Sequence, residues 1–248
     1  MSNYWIGTSG YTYDAWKGAF YPDGIEERDM LRFYGAAFHT VEINYTFTRI
    51  PNMRTLQGWA KDTPEGFAFS LKAPRRITHE MQLRDAGEEL TSFCDIAKAL
   101  KGKVGALLFQ LPPFLRKDIP RLEDFLHQMP PEHRVALEFR NPNWFGDDVF
   151  DCLARFNVAL CICDHNDRAT PFVQTASFGY MRLRQPDYAE EDLGIWAERL
   201  AASASAWQDA YVYFKHEANA RGPELARAFV RLIGGNARQD DVGSAPPA

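Results

Sequence analysis

The sequence predicts a (β/α)₈ barrel, an α/β fold in which eight parallel strands close into a ring and helices cover its outside. Eight short β-type runs alternate with helical patterns along the 248 residues. Such alternation indicates parallel strands, because parallel neighbours need crossover connections. A chain of about 250 residues also matches the size of one barrel. No Gly-x-Gly-x-x-Gly motif follows the first strand, which argues against a dinucleotide-binding fold.

The predicted strands are short apolar runs at residues 4–7, 40–44, 68–72, 105–110, 135–140, 159–164, 179–183 and 211–215. The predicted helices place apolar residues three or four positions apart, which is the spacing of one helix face. They cover residues 28–38, 53–60, 88–100, 119–129, 147–156, 190–207 and 223–233. After the sixth strand the helical pattern is weakest, and residues 170–177 are expected to hold only a short turn.

No linker-like boundary interrupts this pattern, so residues 1–234 are expected to form a single domain. Residues 235–248 are rich in Gly, Ala, Pro and Asp and have no apolar periodicity. That composition predicts a disordered C-terminal tail.

The composition is that of an ordinary cytoplasmic protein. The net charge of −5 argues against a generally basic protein that coats nucleic acid. No apolar stretch approaches the roughly 20 residues that span a bilayer, and the N-terminus lacks the features of a signal peptide. We therefore expect a cytoplasmic location and no membrane partner. The oligomeric state is left open. The four cysteines form no C-x-x-C pair and are expected to be buried thiols.

Alternation within the strands indicates where the chemistry lies. Side chains two residues apart share a face of a strand, so Glu42 and Asn44, which alternate with Val41 and Ile43, are predicted to point into the barrel. The same rule turns further polar residues inward, namely Ser70, Lys72, Gln110, Glu138, Arg140, Asp164, Arg182 and Lys215. Most of them end a strand. Because active sites of barrels lie at the C-terminal ends of the strands, this clustering predicts a functional site there.

We expect two roles among these residues. The candidate catalytic residues are Glu42, Lys72, Glu138 and Asp164, with Glu42 or Glu138 as general acid or base. The candidate ligand-binding residues are Asn44, His79, Gln110, Arg140, Arg182 and Lys215, and Lys72 would help them to hold an anion. The alternative is a self-neutralising layer of ion pairs, since buried charges require partners.

The loops after the strands add basic and aromatic residues. Arginines and lysines at positions 49, 54, 75, 76, 116 and 117 predict a basic rim that attracts phosphates or carboxylates. The alternative for any one of them is a solvated loop charge. Tyr11, Trp16 and Trp144 suit stacking on bases or sugars, and the alternative for each ring is to cap the hydrophobic core.

A metal site is a further alternative. His79, His165 and His216 follow strand ends, and together with the carboxylates they are ligands that divalent ions accept. The inward lysines and arginines would repel a cation from the same place, so no metal or other cofactor is expected.

Lys72 has two possible roles. As a partner of Glu42 or a holder of an anion, its amine stays protonated. As a Schiff-base nucleophile it needs a depressed pKa, produced by burial and by neighbouring cations such as Arg140. Three carboxylates at the same end of the barrel favour the ammonium form. We therefore expect a charged, non-covalent role for Lys72.

Several motifs occur in order between Trp5 and Phe229. They are G-T-S-G-Y at residues 7–11 with W at 16 and F-Y-P at 20–22, V-E-I-N-Y-T-F at 41–47, F-S-L-K at 69–72 with I-T-H at 77–79, Q-L-P-P at 110–113, E-F-R at 138–140 with W at 144, and Y-M-R-L at 180–183. The set resembles the domain of unknown function 72 family, also called YecE-like. The resemblance implies a barrel fold and supplies no established reaction.

Two stretches depart from that resemblance. Many members read Arg-Leu-His-Gly on the seventh strand, where this chain has Arg182-Leu183-Arg184-Gln185. Many also end the last strand in Tyr-Phe-Asn-Asn-Asp, where this chain has Tyr213-Phe214-Lys215-His216-Glu217. Roles for a seventh-strand histidine or an eighth-strand asparagine are therefore not carried over, and Lys215 belongs to this chain's subgroup.

We expect an enzyme, a hydrolase, lyase or isomerase, that acts by general acid–base chemistry on a small anionic ligand such as a phosphate-bearing sugar or nucleotide. One alternative is a nucleic-acid-binding module that uses the basic and aromatic rim, by fold-level analogy with barrels of the endonuclease IV type. The second alternative is a non-catalytic protein that binds a small metabolite.

Overall fold

The computed structural model describes residues 2–164, 169–185 and 187–234. Its eight strands are all parallel, pair in sequence order and close into a barrel, which confirms the predicted (β/α)₈ fold. The strands are β1 (Asn3–Ser9), β2 (Thr40–Ile43), β3 (Ala68–Lys72), β4 (Val104–Gln110), β5 (Val135–Glu138), β6 (Ala159–Cys163), β7 (Phe178–Leu183) and β8 (Asp209–Phe214). The predicted tail, residues 235–248, lies outside the described residues.

Helices occupy most of the connections, as predicted. They are α1 (Glu27–Ala37), α2 (Tyr45–Thr48), α3 (Met53–Asp62), α4 (Gly87–Ala97), α5 (Ile119–His127), α6 (Asp147–Arg155), α7 (Glu190–Ala202) and α8 (Arg221–Ile233). The one-turn helix α2 was not predicted, and α7 ends five residues before its predicted end. Between β6 and β7, residues 169–177 contain no helix, in agreement with the weak pattern there.

Local sequence explains where α3 and α5 begin. Asn52 precedes α3 and its side chain accepts a hydrogen bond from the backbone N–H of Thr55 at 2.9 Å. Asp118 precedes α5 and accepts the backbone N–H of Arg121 at 3.1 Å. Both residues satisfy a donor that the first helical turn leaves without a partner, which is the usual role of Asn and Asp at this position.

The ring is closed by the first and last strands. Six consecutive residue pairs join β1 to β8, from Asn3 opposite Asp209 to Thr8 opposite Phe214. Strand β8 also makes six pairs with β7. Because every strand has two neighbours, the sheet has no open edge at which another chain could pair.

The hydrophobic residues separate into two layers, as the alternation within the strands predicts. Val41, Ile43 and Leu71 belong to the large cluster that includes the inner faces of the helices. A second cluster consists mainly of strand residues that face the barrel axis, with Ala136, Cys161 and other residues of the same parity. Glu42 and Glu138 alternate along their strands with residues of the outer cluster, so their side chains point toward the barrel axis.

At the N-terminal end of the strands the interior is packed and sealed. The ring of Trp5 stacks on Tyr211 with 5.9 Å between centroids. The indole N–H of Trp5 donates to Asp209 at 3.0 Å, and Asp209 pairs with Arg134 at 2.6 Å. One end of the barrel is therefore closed by aromatic packing and an ion pair.

Halfway along the axis, hydroxyl groups replace apolar contacts. The Tyr213 hydroxyl lies 2.7 Å from Thr40 Oγ1 and 2.8 Å from Ser70 Oγ, and all three side chains are buried. This layer joins strands β2, β3 and β8 across the interior and lies beneath the charged residues at the C-terminal end.

The four cysteines, all within the described residues, are buried and form no disulfide. Among the described residues, no helix has the length and apolar character needed to cross a membrane.

Candidate functional site

Arg182 stands at the centre of the C-terminal end of the barrel, which we call the mouth. It points inward from β7 and is 1% exposed. Its guanidinium lies between two carboxylates: Nη2 donates to Glu42 Oε1 at 2.9 Å and Nη1 donates to Glu138 Oε2. Arg182 thus links β2 with β5 across the axis, and it is neutralised by two partners.

Glu42 is fully buried and accepts hydrogen bonds on both oxygens. Besides Arg182, Oε1 accepts from Ser9 Oγ at 2.5 Å and from Asn44 Nδ2 at 3.3 Å, while Oε2 accepts from the Tyr180 hydroxyl at 2.7 Å. Burial alone would raise the pKa of Glu42, but the charge of Arg182 and the hydrogen bonds outweigh it and lower the pKa.

The turn after β1 brings Ser9 to this carboxylate. Gly10 has a φ of +93°, and a Cβ there would lie 2.3 Å from the Tyr13 hydroxyl. The Gly10 N–H donates to the carbonyl of Glu42 at 2.8 Å, and the Tyr13 hydroxyl donates to the carbonyl of Ser9 at 2.9 Å. Glycine suits both the left-handed backbone and the close approach of the ring.

Glu138 is buried on the opposite side of Arg182. Its Oε1 accepts from Gln110 Nε2 at 2.8 Å and pairs with Arg140 Nη2 at 2.5 Å. Burial would raise the pKa of Glu138, but Arg182, Arg140 and the hydrogen bond from Gln110 lower it to about 2. At neutral pH this carboxylate is therefore ionised and fully engaged.

These contacts bear on the expected acid–base roles. A carboxylate with a pKa near 2 is a weak base, because general base catalysis is most efficient near the working pH. Both Glu42 and Glu138 are at most 1% exposed and bonded on both oxygens. The arrangement matches the ion-pair alternative for these two residues, and it holds Arg182 in a fixed position.

Lys72 lies at the end of β3 without an ion pair to any described carboxylate. Its Nζ donates to Gln110 Oε1 at 2.9 Å and lies 4.0 Å from the centre of the Phe47 ring. Burial lowers the pKa of Lys72 to about 8, and Arg182 and Lys215 add to this effect against the opposing charges of Glu138 and Glu42. The carboxylates oppose this depression, as expected, but burial outweighs them. An amine with a pKa of about 8 is still mostly protonated at pH 7, so the expected charged, non-covalent role of Lys72 stays a prediction.

Three more cations surround the mouth. Arg140 is 26% exposed, and its Nη2 pairs with Glu138. Lys215 has Glu217 at 3.8 Å, and burial together with Arg184 and Arg182 lowers its pKa. Arg184 is half-buried, and no carboxylate of the described residues pairs with its guanidinium. Among the described residues, positive charge at the mouth therefore exceeds negative charge.

The contacts of Asp164 are those of a residue that holds a loop in place. It is 4% exposed, and its oxygens accept the backbone N–H of Arg184 at 2.7 Å and the Tyr188 hydroxyl. Burial raises the pKa of Asp164, while these two hydrogen bonds lower it by less. These contacts connect the end of β6 to the loop after β7, and none of them reaches Arg182. Asp164 is therefore not part of the Glu42–Arg182–Glu138 network.

His79 is half-buried beside Lys72. Its ring meets Phe47 with 5.1 Å between centroids, and its Nδ1 lies 2.9 Å from Thr78 Oγ1. Burial, then the charges of Lys72 and Arg75, lower the pKa of His79. The ring is therefore mostly neutral at pH 7. His165 lies outside the described residues.

A cavity of about 630 Å³ opens next to the mouth. Tyr11, Tyr13, Trp59 and Arg49 line it, and Asn44 connects it with the Glu42 network. Burial raises the pKa of Tyr11 to about 12, so the phenol stays neutral. The volume falls within the range of small-molecule pockets, roughly 300–1,000 Å³.

Trp16 and Trp144 lie in the hydrophobic packing and have no open ring face. Trp16 is 1% exposed and its indole N–H donates to the carbonyl of Glu217 at 2.9 Å. Trp144 is fully buried, stacks on Phe139 and donates to the carbonyl of Leu115 at 2.9 Å. The expected ligand contact is corrected for both rings: they cap the core.

Three of the six cations of the predicted basic rim pair with neighbouring acids. Arg75 pairs with Glu80 at 3.0 Å, and Arg76 pairs with Glu89 at 2.7 Å. Lys117 likewise pairs with an aspartate at 2.7 Å. These exposed pairs reduce the net positive charge of the rim. Among the described residues, no group of three His, Cys, Asp or Glu side chains is placed to hold a metal ion.

The structure thus brings seven of the predicted site residues into one network, namely Glu42, Asn44, Lys72, Gln110, Glu138, Arg140 and Arg182. It also adds Ser9 and Tyr180 to the network and places the charge of Arg184 near Glu138 and Lys215. The sequence did not predict Ser9, Tyr180 or Arg184 as site residues. The alternation of side chains could have predicted two of them: Tyr180 and Arg184 lie two residues before and after Arg182, so they are on the same inward face of the chain.

Comparison with known proteins agrees with the fold. A family model described as "Protein of unknown function DUF72" matches residues 5–248. The UPF0759 protein YunF of Bacillus subtilis is 24% identical over 255 residues, covering 87% of this chain and 90% of YunF. The UPF0759 protein YecE of Escherichia coli K12 is 31% identical over 117 residues. That match covers 47% of this chain and less than half, 43%, of YecE.

Solved structures show the same architecture. A DUF72 family protein from Thermotoga maritima superposes with a TM-score of 0.81 at 22% identity, over 93% of this chain and 98% of that one. One from Enterococcus faecalis gives a TM-score of 0.79 at 19% identity, over 99% and 100%. At such identities the likeness concerns the fold. With a family model that matches almost its whole length, the chain belongs to the DUF72 family.

Proposed function

We propose that this barrel is an enzyme whose mouth binds a small anionic substrate through Arg140, Arg184 and Lys215, with Lys72 beside them. The observation that carries the proposal is the excess of positive charge around Arg182. The two buried glutamates form ion pairs with Arg182 and Arg140. Arg184 and Lys72, in contrast, have no ion-pair partner among the described carboxylates. A carboxylate or phosphate group supplies the missing counter-charge.

The position of these cations also supports the proposal. They are partly exposed or border the mouth, so an anion can approach them from solvent, while Arg182 beneath them is already paired on both sides. A half-buried site of low dielectric strengthens their attraction for an anion. The remainder of the ligand has room in the aromatic-lined cavity beside Asn44. Tyr11 and Trp59 suit a sugar or a base in that position.

Acid–base chemistry on such a substrate falls to groups that titrate near neutrality. Lys72, with a pKa of about 8, meets this condition, and the half-buried His79 ring lies beside it against Phe47. Glu42 and Glu138 act in this proposal by orienting Arg182 and Gln110. The proposal therefore keeps the anionic ligand of the sequence-based hypothesis and changes the residues that carry the chemistry.

The nucleic-acid alternative receives less support. It requires a broad basic surface, and neighbouring acids pair with Arg75, Arg76 and Lys117. A duplex also cannot reach the charged cluster inside the mouth without base flipping. If the protein binds nucleic acid, the logarithm of its affinity should fall steeply with the logarithm of the salt concentration. A salt titration with short oligonucleotides therefore distinguishes nucleic-acid binding from the binding of a small anion.

The proposal is tested by titrating the protein with inorganic phosphate and sulfate in a calorimeter, with R184Q and K215Q as variants. We expect one saturable site that weakens about tenfold or more in R184Q, since a hydrogen bond to a charged group contributes roughly 1.5–3 kcal/mol. R199Q is the matched control, because Arg199 lies over Trp196 on helix α7. Equal affinity in wild type, R184Q and K215Q would refute the proposal.

Turnover separates the enzyme from a non-catalytic binder. A mixture of anionic metabolites is incubated with the wild-type protein and analysed by mass spectrometry. We expect at least one anionic compound to be converted. Binding without conversion of any compound would support the metabolite-binding alternative.

A further inference from the structure

The amine of Lys72 is held in place without being neutralised. Its hydrogen-bond acceptor is the amide oxygen of Gln110, at 2.9 Å. The amide nitrogen of Gln110 donates to Glu138 at 2.8 Å, which fixes the orientation of the amide and directs its oxygen toward Lys72. A buried lysine normally requires a carboxylate partner. Here an uncharged acceptor takes that place although two carboxylates are nearby.

From this geometry we infer that Lys72 is a nucleophile that forms a reversible imine with a carbonyl compound carrying a carboxylate or phosphate group. The inference deepens the proposed function, on which it rests: Arg140, Arg184 and Lys215 would bind the anionic group, and Lys72 would react with the carbonyl carbon. A buried lysine beside other cations is one of the established arrangements for an amine of this kind.

The charges that act on Lys72 come from strands β2, β5 and β7 and from the residue that follows β8, and the titratable ring of His79 lies beside it. Arg182 on β7 and Lys215 after β8 disfavour its protonation, whereas Glu42 on β2 and Glu138 on β5 favour it. The face of the Phe47 ring at 4.0 Å also favours the ammonium form. Burial and the cations prevail, and the pKa of Lys72 is lowered to about 8 from the ordinary 10.5. At pH 7 the neutral fraction is then roughly 300-fold larger than for an ordinary lysine.

The proposed step is balanced. The lone pair of the neutral Nζ attacks the carbonyl carbon, and the π electrons of the C=O bond move to the oxygen. Proton transfer from nitrogen to oxygen, directly or through solvent, gives a neutral carbinolamine. The hydroxyl takes up a proton and leaves as water when the nitrogen lone pair forms the C=N bond, and the remaining N–H proton is released to solvent, which restores the proton that was used. One amine and one carbonyl compound give one imine and one water, and no oxidant or reductant takes part.

The experiment is borohydride trapping on the full chain, followed by peptide mapping. Three probes are compared at pH 7: pyruvate carries a carboxylate, glycolaldehyde phosphate carries a phosphate, and acetaldehyde carries neither. We expect a secondary-amine adduct on Lys72 with at least one anionic probe, at more than tenfold the yield on any other lysine, and no such preference with acetaldehyde. Its formation should be half-maximal near pH 8.

Two variants make the result specific. K72R keeps the charge and removes the nucleophile, so the adduct should disappear while circular dichroism stays that of the wild type. R184Q should lower the yield with the anionic probes and leave the yield with acetaldehyde unchanged. Lys103 is an internal control, since its amine is bonded to the carbonyls of Ala60, Thr63 and Pro64, and its peptide should stay unmodified.

The outcomes distinguish this inference from the proposed function. If phosphate binds as proposed but Lys72 is no more labelled than exposed lysines, the imine is refuted and the anion site stands. If neither binding nor selective labelling occurs, both are refuted. Labelling of Lys72 that is equal for all three probes would refute the preference for anionic carbonyl compounds.

Discussion

At the scale of single residues, Arg182 determines the state of the groups around it. Its guanidinium is shared between Glu42 and Glu138, and this sharing leaves Lys72 without a carboxylate. Together with Arg140 and Gln110, Arg182 lowers the pKa of Glu138 to about 2, and it adds to burial in lowering the pKa of Lys72 to about 8. The electrostatic properties of the mouth thus depend on how these carboxylates are paired as well as on which residues are present.

The pairing of Glu138 predicts a pH dependence of stability. Because its pKa is about 2 in the folded protein and near the ordinary 4.5 when unfolded, the stabilisation is complete above pH 4.5 and is lost as the pH falls toward 2. E138Q should be less stable at pH 7 and show a shallower decline of the unfolding free energy below pH 4.5. Urea denaturation across pH 2–7 measures this. The exposed-glutamate variant E198Q serves as control, and an identical decline in E138Q would contradict the assignment.

At the scale of elements, each strand delivers its polar residues to the mouth, and each helix must start at a defined position behind it. Asp164 fixes the position of the loop after β7, because it accepts hydrogen bonds from the backbone N–H of Arg184 and the hydroxyl of Tyr188. Asn52 fixes the start of α3, because its side chain accepts the backbone N–H of Thr55. These polar residues fix the ends of elements, and their contribution is to stability and to the position of loops at the mouth.

Removal of the Asn52 cap should destabilise the protein without unfolding it. In N52A the backbone N–H of Thr55 loses its acceptor at 2.9 Å, and such a change costs about 1 kcal/mol. N52S keeps an oxygen at the same position and should recover most of that loss. Chemical denaturation gives the comparison. Equal stabilities for N52A and N52S would show that the cap contributes nothing.

At the scale of the whole molecule, the barrel interior has two ends with different properties. The N-terminal end is filled by Trp5, Tyr211 and the pair between Arg134 and Asp209. The described residues at the C-terminal end carry more positive than negative charge. The layer of Tyr213, Thr40 and Ser70 separates them. Substitutions below the mouth are therefore expected to change stability, and substitutions at the mouth to change binding.

Y213F tests this division. The variant leaves the hydroxyls of Thr40 and Ser70 without the partner that joins them, and we expect a loss of about 1–3 kcal/mol in the unfolding free energy. Phosphate affinity should stay that of the wild type, whereas R184Q should show the opposite combination. Y45F, at a tyrosine that is 49% exposed, is the matched control for stability. A parallel loss of binding in Y213F would show that the two ends are coupled.

The sequence by itself determined the fold and the inward face of each strand. Strand and helix periodicities are local properties, and eight alternating units permit few arrangements other than a closed parallel sheet. The same alternation selected Glu42, Lys72, Gln110, Glu138, Arg140 and Arg182, which the structure joins in one network. Applied one step further along the chain, it would also have selected Tyr180 and Arg184.

Tertiary structure alone decided which charges pair. Glu42 and Arg182 are 140 residues apart, and nothing local states that Arg182 rather than Lys72 neutralises this carboxylate. The pKa values of buried groups depend on burial and on partners that the closure of the barrel brings together. For the same reason Trp16 and Trp144, which lie in loops at the mouth, turn into the core, and Asp164 bonds to Tyr188. The sequence determined the position of each residue along its strand, whereas its partner and protonation state follow from distances that exist only in the folded barrel.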